Sequence, residues 1–297
     1  MKANPSAPEG LALQGASAAL RGLSVESTTV CAARLASAPL QSQRGSRGIL
    51  RQAPNMQLIK SLFFTTYMMV SALLFGGFMT LCFWAPYSTQ FAIARTWARI
   101  LFWVLDKVCG LKFSVQGRER IPPGNHIVMC NHTSAWETIA QFLIFPPHVW
   151  VLKRELLWIP LIGWGLKLLR PISIDRGAGH RAVNEVIEQG KARLADGLWI
   201  IIFPEGTRVV AGESRRYGVS GALLAIAANK RVVPLAHNAA DFWVRRGIVK
   251  KAGTIHVVIG ESIDSAGKDP RDLNDQVRQS IEAGLAQIAQ ESSAQAA

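Results

Sequence analysis

The chain has 297 residues, of which 49% are hydrophobic and 18% charged, with a formal charge of +13. That is enough apolar material for one buried catalytic domain with some left for a bilayer, and the charge points to a phosphate-rich partner: nucleic acid, an anionic lipid surface or a phosphorylated substrate. Cys31, Cys82, Cys109 and Cys130 are widely spaced with no CxxC pair, which excludes a structural zinc site and reads as free thiols in a reducing compartment.

Residues 1–55 are rich in Ala, Ser, Gly and Arg. Six bases (Lys2, Arg21, Arg34, Arg44, Arg47 and Arg51) stand there against Glu9 and Glu26, so this stretch carries +4 and the remainder +9. It has no periodicity that would build a core and is expected to be disordered. An organelle transit peptide and a misplaced start, with Met56 as the natural one, are both compatible with it. From Ser61 to Ala85 there is no charged residue, and the run is long enough to cross a hydrocarbon core as a helix. Gly76 and Gly77 leave open a bend that would keep it in one leaflet. The next segment, FAIARTWARILFWVLDKVCG, places Ile93, Trp97, Ile100, Leu101 and Val104 on one face with Arg95 and Arg99 opposite. It predicts an interfacial helix paired with the first, a buried packing helix being the alternative.

After Gly110 short apolar runs (HIVMC, VWVLK, PISI, LWIIIF, RVVPLA, TIHVVIG) alternate with polar or helical stretches. That pattern predicts an α/β fold with a largely parallel sheet. The stretch from His180 to Gly197 predicts a helix whose apolar face holds Val183, Val186, Ile187 and Leu194, closed by Gly197. From about Asn274 an amphipathic helix is expected to decay into a Ser/Ala/Gln tail. The resulting division is 1–55, a membrane-anchoring hairpin over 56–109, a catalytic domain over 110–273 and a terminal helix and tail over 274–297.

Three stretches carry candidate chemistry. In IVMCNHTSAWET an apolar strand ends at Asn131-His132, and Glu137 follows five residues later, where a strand-to-helix turn would bring it within hydrogen-bonding reach of the imidazole. A carboxylate on one ring nitrogen fixes the tautomer and makes the other a better base toward a hydroxyl. A lone histidine at a strand end also fits a structural role. No G-x-S-x-G elbow supplies a covalent nucleophile, so direct displacement is the simpler mechanism. In LWIIIFPEGTR a buried strand turns through Gly206, Thr207 offers a hydroxyl and an amide, and Arg208 can clamp a phosphate. The same tetrad also fits a plain turn in which Glu205 and Arg208 pair with each other. Between the two, Lys153, Arg154, Lys167, Arg170 and Arg176 punctuate an apolar stretch that suits a lipid's tail and phosphate, or a solvated helix face. His237 reads as structural.

In this order, NHTSAWE, KREL…ISIDR, FPEGTR and VVPLAHN resemble the four sequence blocks of the 1-acylglycerol-3-phosphate acyltransferase family, over roughly Gln57 to Gly260. The resemblance implies a glycerol-3-phosphate acyltransferase-like fold, a mixed, largely parallel sheet with flanking helices behind N-terminal membrane helices. It implies acyl transfer from acyl-CoA or acyl-acyl-carrier protein to lysophosphatidic acid, giving phosphatidic acid. His132 maps onto the family's base and Glu137 onto its partner, which is more often Asp. The FPEGTR block assigns phosphate contact to Arg208 and the shape of the site to Glu205, Gly206 and Thr207. The second block makes Lys153 and Arg176 acceptor-binding candidates. Val209 stands where the family often has Ser, and Tyr217-Gly-Val-Ser-Gly221 lacks a lysine common there, so one phosphate or carrier contact is expected to be weaker or supplied elsewhere, for example by Arg215 or Arg216.

The thioester is already activated and no metal-ligand cluster stands in the sequence, so neither metal nor cofactor is expected. Membrane lipid is an expected partner and nucleic acid is not, because no aromatic RNA platform or DNA-reading helix is present. Donors made in the cytosol place the catalytic domain on the cytoplasmic face of the inner membrane, with a hairpin or monotopic anchor favoured over a single crossing. The rivals are a same-fold acyltransferase with another lysolipid acceptor and a non-catalytic binder of anionic lipid.

Overall fold

The computed structural model describes residues 54–175, 177–210, 213 and 215–296. The expected disordered stretch, apart from its last residues, Cys31 and Arg176 lie outside the described residues. Two long helices come first, α1 (Pro54–Leu81) and α2 (Tyr87–Cys109), and Gly110 closes α2 in the left-handed conformation at φ 67°. An α/β domain follows: β1 (Leu111–Gln116), β2 (Ile127–Cys130), α3 (Trp136–Ile144), β3 (His148–Lys153), α4 (Ile162–Leu168), β4 (Ile172–Ile174), α5 (His180–Ala195) and β5 (Trp199–Ile202). It ends with α6 (Ser220–Ala227), β6 (Val232–His237), α7 (Ala239–Phe242), β7 (Gly253–Ile259) and α8 (Pro270–Ala296).

Among the described residues the strands form one seven-stranded sheet in the order β1-β7-β6-β2-β5-β3-β4. Every neighbouring pair is parallel except β6 with β7. The central strands IVMC and WIII are buried along their whole length, as strands covered on both faces must be. One face packs against α2 and α3 through Ala98, Leu101, Leu105, Trp136 and Phe142. The other packs against α5, α6 and α8 through Val186, Leu224, Leu273, Val277 and Ile281. The parallel β2, β5 and β3 therefore point their carboxyl ends to one edge, where ligands bind in open α/β sheets.

Each expected apolar run from HIVMC onward is a strand. β1, LKFSVQ, carries no comparable run of consecutive apolar residues, and its pairing with β7 makes it a strand. On α2 the buried stripe runs through Phe91, Ala94, Ala98, Leu101 and Leu105. It is turned by about one residue from the expected face, because the small side chains of Ala94 and Ala98 let α2 approach its neighbours closely while Ile100 is exposed. The terminal helix begins at Pro270 and continues through Ala296 where a tail was expected. Burial of Ile281 and Ile288 against the sheet holds that length in place.

Gly76 lies inside α1, which is helical without a break. A Cβ there would sit 2.7 Å from the Leu161 carbonyl oxygen, and one on Gly165 would sit 2.9 Å from the Gly76 Cα, so the glycines permit a close crossing of α1 with α4. Gly76→Leu is expected to destabilise the chain by about 1–3 kcal/mol through overpacking at a backbone that cannot yield. Thermal unfolding in detergent checks this, and an unchanged midpoint would mean that the crossing is loose.

Candidate active site

β2 ends at Cys130, and the chain turns through Asn131-His132-Thr133-Ser134 into α3. The turn is a capping box: the Ser134 hydroxyl accepts the Trp136 N–H at 3.2 Å, and Glu137 reaches back to the Ser134 N–H at 2.9 Å. Glu137 also accepts the Thr133 N–H at 3.1 Å, and its Oε1 lies 2.8 Å from His132 Nδ1. The carboxylate is 1% exposed. Burial alone would raise its pKa, but the hydrogen bonds from His132 and the Ser134 amide help to outweigh burial and hold it below the ordinary glutamate range. An ionised carboxylate only accepts, so Nδ1 of His132 carries a proton, and in the neutral imidazole the lone pair is then on Nε2. Phe203, at the end of β5, stacks on the imidazole with ring centroids 4.0 Å apart and fixes its plane.

The FPEGTR turn closes over this loop from β5. Gly206 adopts φ 68°, which a side chain would disfavour, and the Val209 N–H donates to the His132 carbonyl at 2.8 Å. Glu205 Oε1 accepts the His132 N–H at 3.3 Å, while its buried Oε2 has no partner. Burial, reinforced by the nearby charge of Glu137, lifts the Glu205 carboxyl to about 7 against two backbone hydrogen bonds. Arg208 does not pair with Glu205 among the described residues. Its Nε is buried without a partner, and Arg245 holds the backbone beneath it through a 2.6 Å bond to the Arg208 carbonyl. Glu205 Oε2 and Arg208 Nε thus both retain unused hydrogen-bonding capacity.

His237, at the end of β6, is fully buried and donates from Nε2 to the Asn131 carbonyl at 2.8 Å. The Asn131 side chain makes two 3.0 Å bonds with the His237 backbone, locking the His132 loop to β6. Burial depresses the pKa of His237, so it serves as a neutral strut 3.9 Å from Glu137. Its structural part agrees with the sequence reading; its place directly behind the dyad had no sequence signal. The SAWE spacing, by contrast, was a capping-box signal in plain view.

The second block is less closely joined to this centre. Lys153 ends β3 on the same sheet edge and pairs with Glu155 at 2.9 Å, with half of its side chain exposed. Arg154 and Arg170 are engaged by Glu185 and Asp196. Among the described residues no group of three or more His, Cys, Asp or Glu side chains is placed to hold a metal ion.

An acyltransferase family model matches residues 112–238, from β1 to the loop after β6. The 1-acyl-sn-glycerol-3-phosphate acyltransferase of Pseudomonas aeruginosa is 36% identical over 241 residues, which are 78% of this chain and 93% of that protein. The chain belongs to the 1-acyl-sn-glycerol-3-phosphate acyltransferase family. A more distant relative, the human 1-acyl-sn-glycerol-3-phosphate acyltransferase alpha, is 27% identical over 189 residues, covering 62% of this chain and 67% of the relative. The crystal structure of the 1-acyl-sn-glycerophosphate acyltransferase from Thermotoga maritima superposes with a TM-score of 0.66 over 78% of this chain and 96% of that one. At 22% identity it shows a shared fold. This family membership makes the chain an acyltransferase, and the dyad region falls inside the matched segment.

Proposed function

We propose that the chain transfers a fatty acyl group from acyl-CoA or acyl-acyl-carrier protein to the sn-2 hydroxyl of 1-acyl-sn-glycerol-3-phosphate, giving phosphatidic acid. The observation that carries the mechanism is the 2.8 Å His132–Glu137 bond, which leaves the second ring nitrogen free at the sheet's carboxyl edge. His132 Nε2 takes the hydroxyl proton as the oxygen attacks the thioester carbonyl. The C–O bond forms, the C–S bond breaks, and the carrier thiol leaves with a proton returned by the imidazolium. No covalent enzyme intermediate is required.

Arg208 takes the acceptor's phosphate, with Gly206 and Thr207 shaping the turn around it and Glu205 bracing the His132 backbone. Lys153 and Arg176 add positive charge toward the acceptor. Arg208→Ala is expected to raise the acceptor KM about 10-fold or more, because it removes a charge-assisted contact present in the ground state. Labelled acyl transfer to lysophosphatidic acid by purified membranes tests both claims. No transfer by the wild type would refute the acceptor, and an unchanged acceptor KM in the variant would refute the cradle.

The catalytic domain sits on the cytoplasmic face of the inner membrane, with residues 56–109 as a monotopic hairpin and the folded domain from 110 onward. Among the described residues α1 is the helix long and apolar enough to cross a bilayer. Its contacts support a flat posture. Near one end Gln57 donates to the Cys109 carbonyl at 3.1 Å, Ser61 accepts the Lys250 N–H at 2.9 Å, and Phe64 packs edge-on to Trp243. Near the other, Gly76 lies against Leu161 and Gly165. Those contacts span roughly 28 Å of helix, nearly a hydrocarbon core's thickness, so a perpendicular α1 would drag the domain's polar loops through the bilayer. Exposed Phe63, Leu74, Phe78 and Trp84, with Trp158 and Trp164, supply the apolar surface. In sealed vesicles, a cysteine at Ser88 should resist an impermeant thiol reagent added opposite the catalytic domain; labelling from that side would require a crossing.

A further inference from the structure

A cavity of about 750 Å³ opens beside the dyad, on the sheet face covered by α8 and away from the face packed by α2 and α3. It begins at Asn131, Thr133 and Glu205 and is walled by α8. Along α8, Arg271, Asn274, Arg278, Ile281, Leu285 and Ile288 all line it at alternating spacings of three and four, a single helical face. Its first half sets Arg271, Asn274 and Arg278 beside Asp275, and its second half is apolar apart from Glu282 and Ser292. Asn274 is 7% exposed and donates to the Tyr217 carbonyl at 3.3 Å, yet its Oδ1 is buried without a partner. Thr133 Oγ1, at the dyad end, is also buried without one. An unpaired buried polar atom is costly, so these two, with Glu205 Oε2 at the dyad end, mark places where a ligand's polar groups belong.

We propose that this cavity is the donor site and takes the phosphopantetheine arm common to CoA and acyl carrier protein, resting on the acyl-transfer reading above. The arm is a chain of carbon skeleton interrupted by two amides and a hydroxyl, with a phosphate at one end and the thioester at the other. The amide N–H groups meet Asn274 Oδ1 and Thr133 Oγ1. The skeleton lies against Ile281 and Leu285, and the phosphate meets Arg271 and Arg278, the latter in exchange for part of its 3.2 Å pair with Asp275. Placement on the α8 face separates the substrates: the water-soluble carrier arrives on α8's side, and the lipid acceptor from the side where α1 lies. The volume falls within the usual range of sites for molecules of this size.

The test uses the full chain in detergent, with acyl-CoA, acyl-acyl-carrier protein and acyl-pantetheine as donors, and titration of free CoA as a readout independent of the acceptor. The double variant R271E/R278E should raise the KM for both phosphate-bearing donors at least about 10-fold and weaken CoA binding equally. Its acceptor KM, kcat and melting temperature should stay put, as should the KM for acyl-pantetheine, which has no phosphate. Asn274→Leu should raise the KM for all three donors several-fold. A rise with acyl-CoA alone assigns the arginines to the nucleotide side of CoA, and one with the carrier protein alone to the protein-bound arm. If instead the acceptor KM moves while donor values stay fixed, or if neither variant changes any KM, the cavity is not the donor site. A wild type that binds CoA through these residues but acylates no lysophosphatidic acid would keep the donor site and overturn the acceptor.

Discussion

Replacing His132 by alanine is expected to lower kcat by ~10²–10⁴-fold while leaving both substrate KM values, membrane association and the melting temperature close to those of the wild type. The loss follows from geometry. Glu137 fixes Nδ1 as the protonated nitrogen, so Nε2 is the one basic atom this loop presents, and alanine removes it. Folding should survive because the loop is held without the imidazole. The His132 N–H bonds Glu205, its carbonyl accepts from Val209, and Glu137 keeps its bonds to Thr133 and Ser134. Stacking on Phe203 is lost, but that ring remains packed against the core. Labelled acyl transfer with matched unfolding curves checks the prediction, and near-normal turnover in the variant would remove His132 from the chemistry.

The parts of the fold visible in the sequence are those in which local pattern and tertiary environment agree. IVMC, HVWVLK and WIII are strands because runs of apolar, often β-branched residues can be buried on both sheet faces, and α5 shows a helical stripe that closes at Gly197. β1 escaped notice because LKFSVQ shows no apolar run and becomes a strand through its pairing with β7. The face of α2 was misplaced by one residue because large apolar side chains marked it, whereas close packing selects small ones. At the site, the NHTSAWE block gave His132 and Glu137 because five residues suffice to turn from a strand into a helix. Phe203 and His237 come from distant strands, and their place around the imidazole depends on the strand order β6-β2-β5. The cavity along α8 was hidden for the same reason: Arg271, Asn274 and Arg278 mean little until the helix is laid against the sheet.

Glu137→Gln should cost as much activity as loss of the base, about 10²–10⁴-fold in kcat, although the side chain is nearly isosteric. A glutamine at this position keeps one acceptor oxygen and gains an NH₂. The position faces three donors, His132 Nδ1–H and the amides of Thr133 and Ser134, so the NH₂ must either oppose an amide N–H or turn toward the imidazole. In the second arrangement it donates to Nδ1, and the ring proton moves to Nε2, leaving no lone pair for the acceptor hydroxyl. Glu137→Asp retains the charge and is expected to be at least 10-fold more active than Glu137→Gln, although its shorter reach weakens the bond to Ser134. The two variants also differ in acid. Because the folded state holds the Glu137 carboxyl below its unfolded value, its contribution to stability is present above the ordinary glutamate range and is lost as pH falls through the depressed pKa. That part of the acid destabilisation should be absent from Glu137→Gln, which has no proton to take up. Equal activity of the glutamine and aspartate variants would show that shape at this position, and not the carboxylate's control of the tautomer, is what the reaction needs.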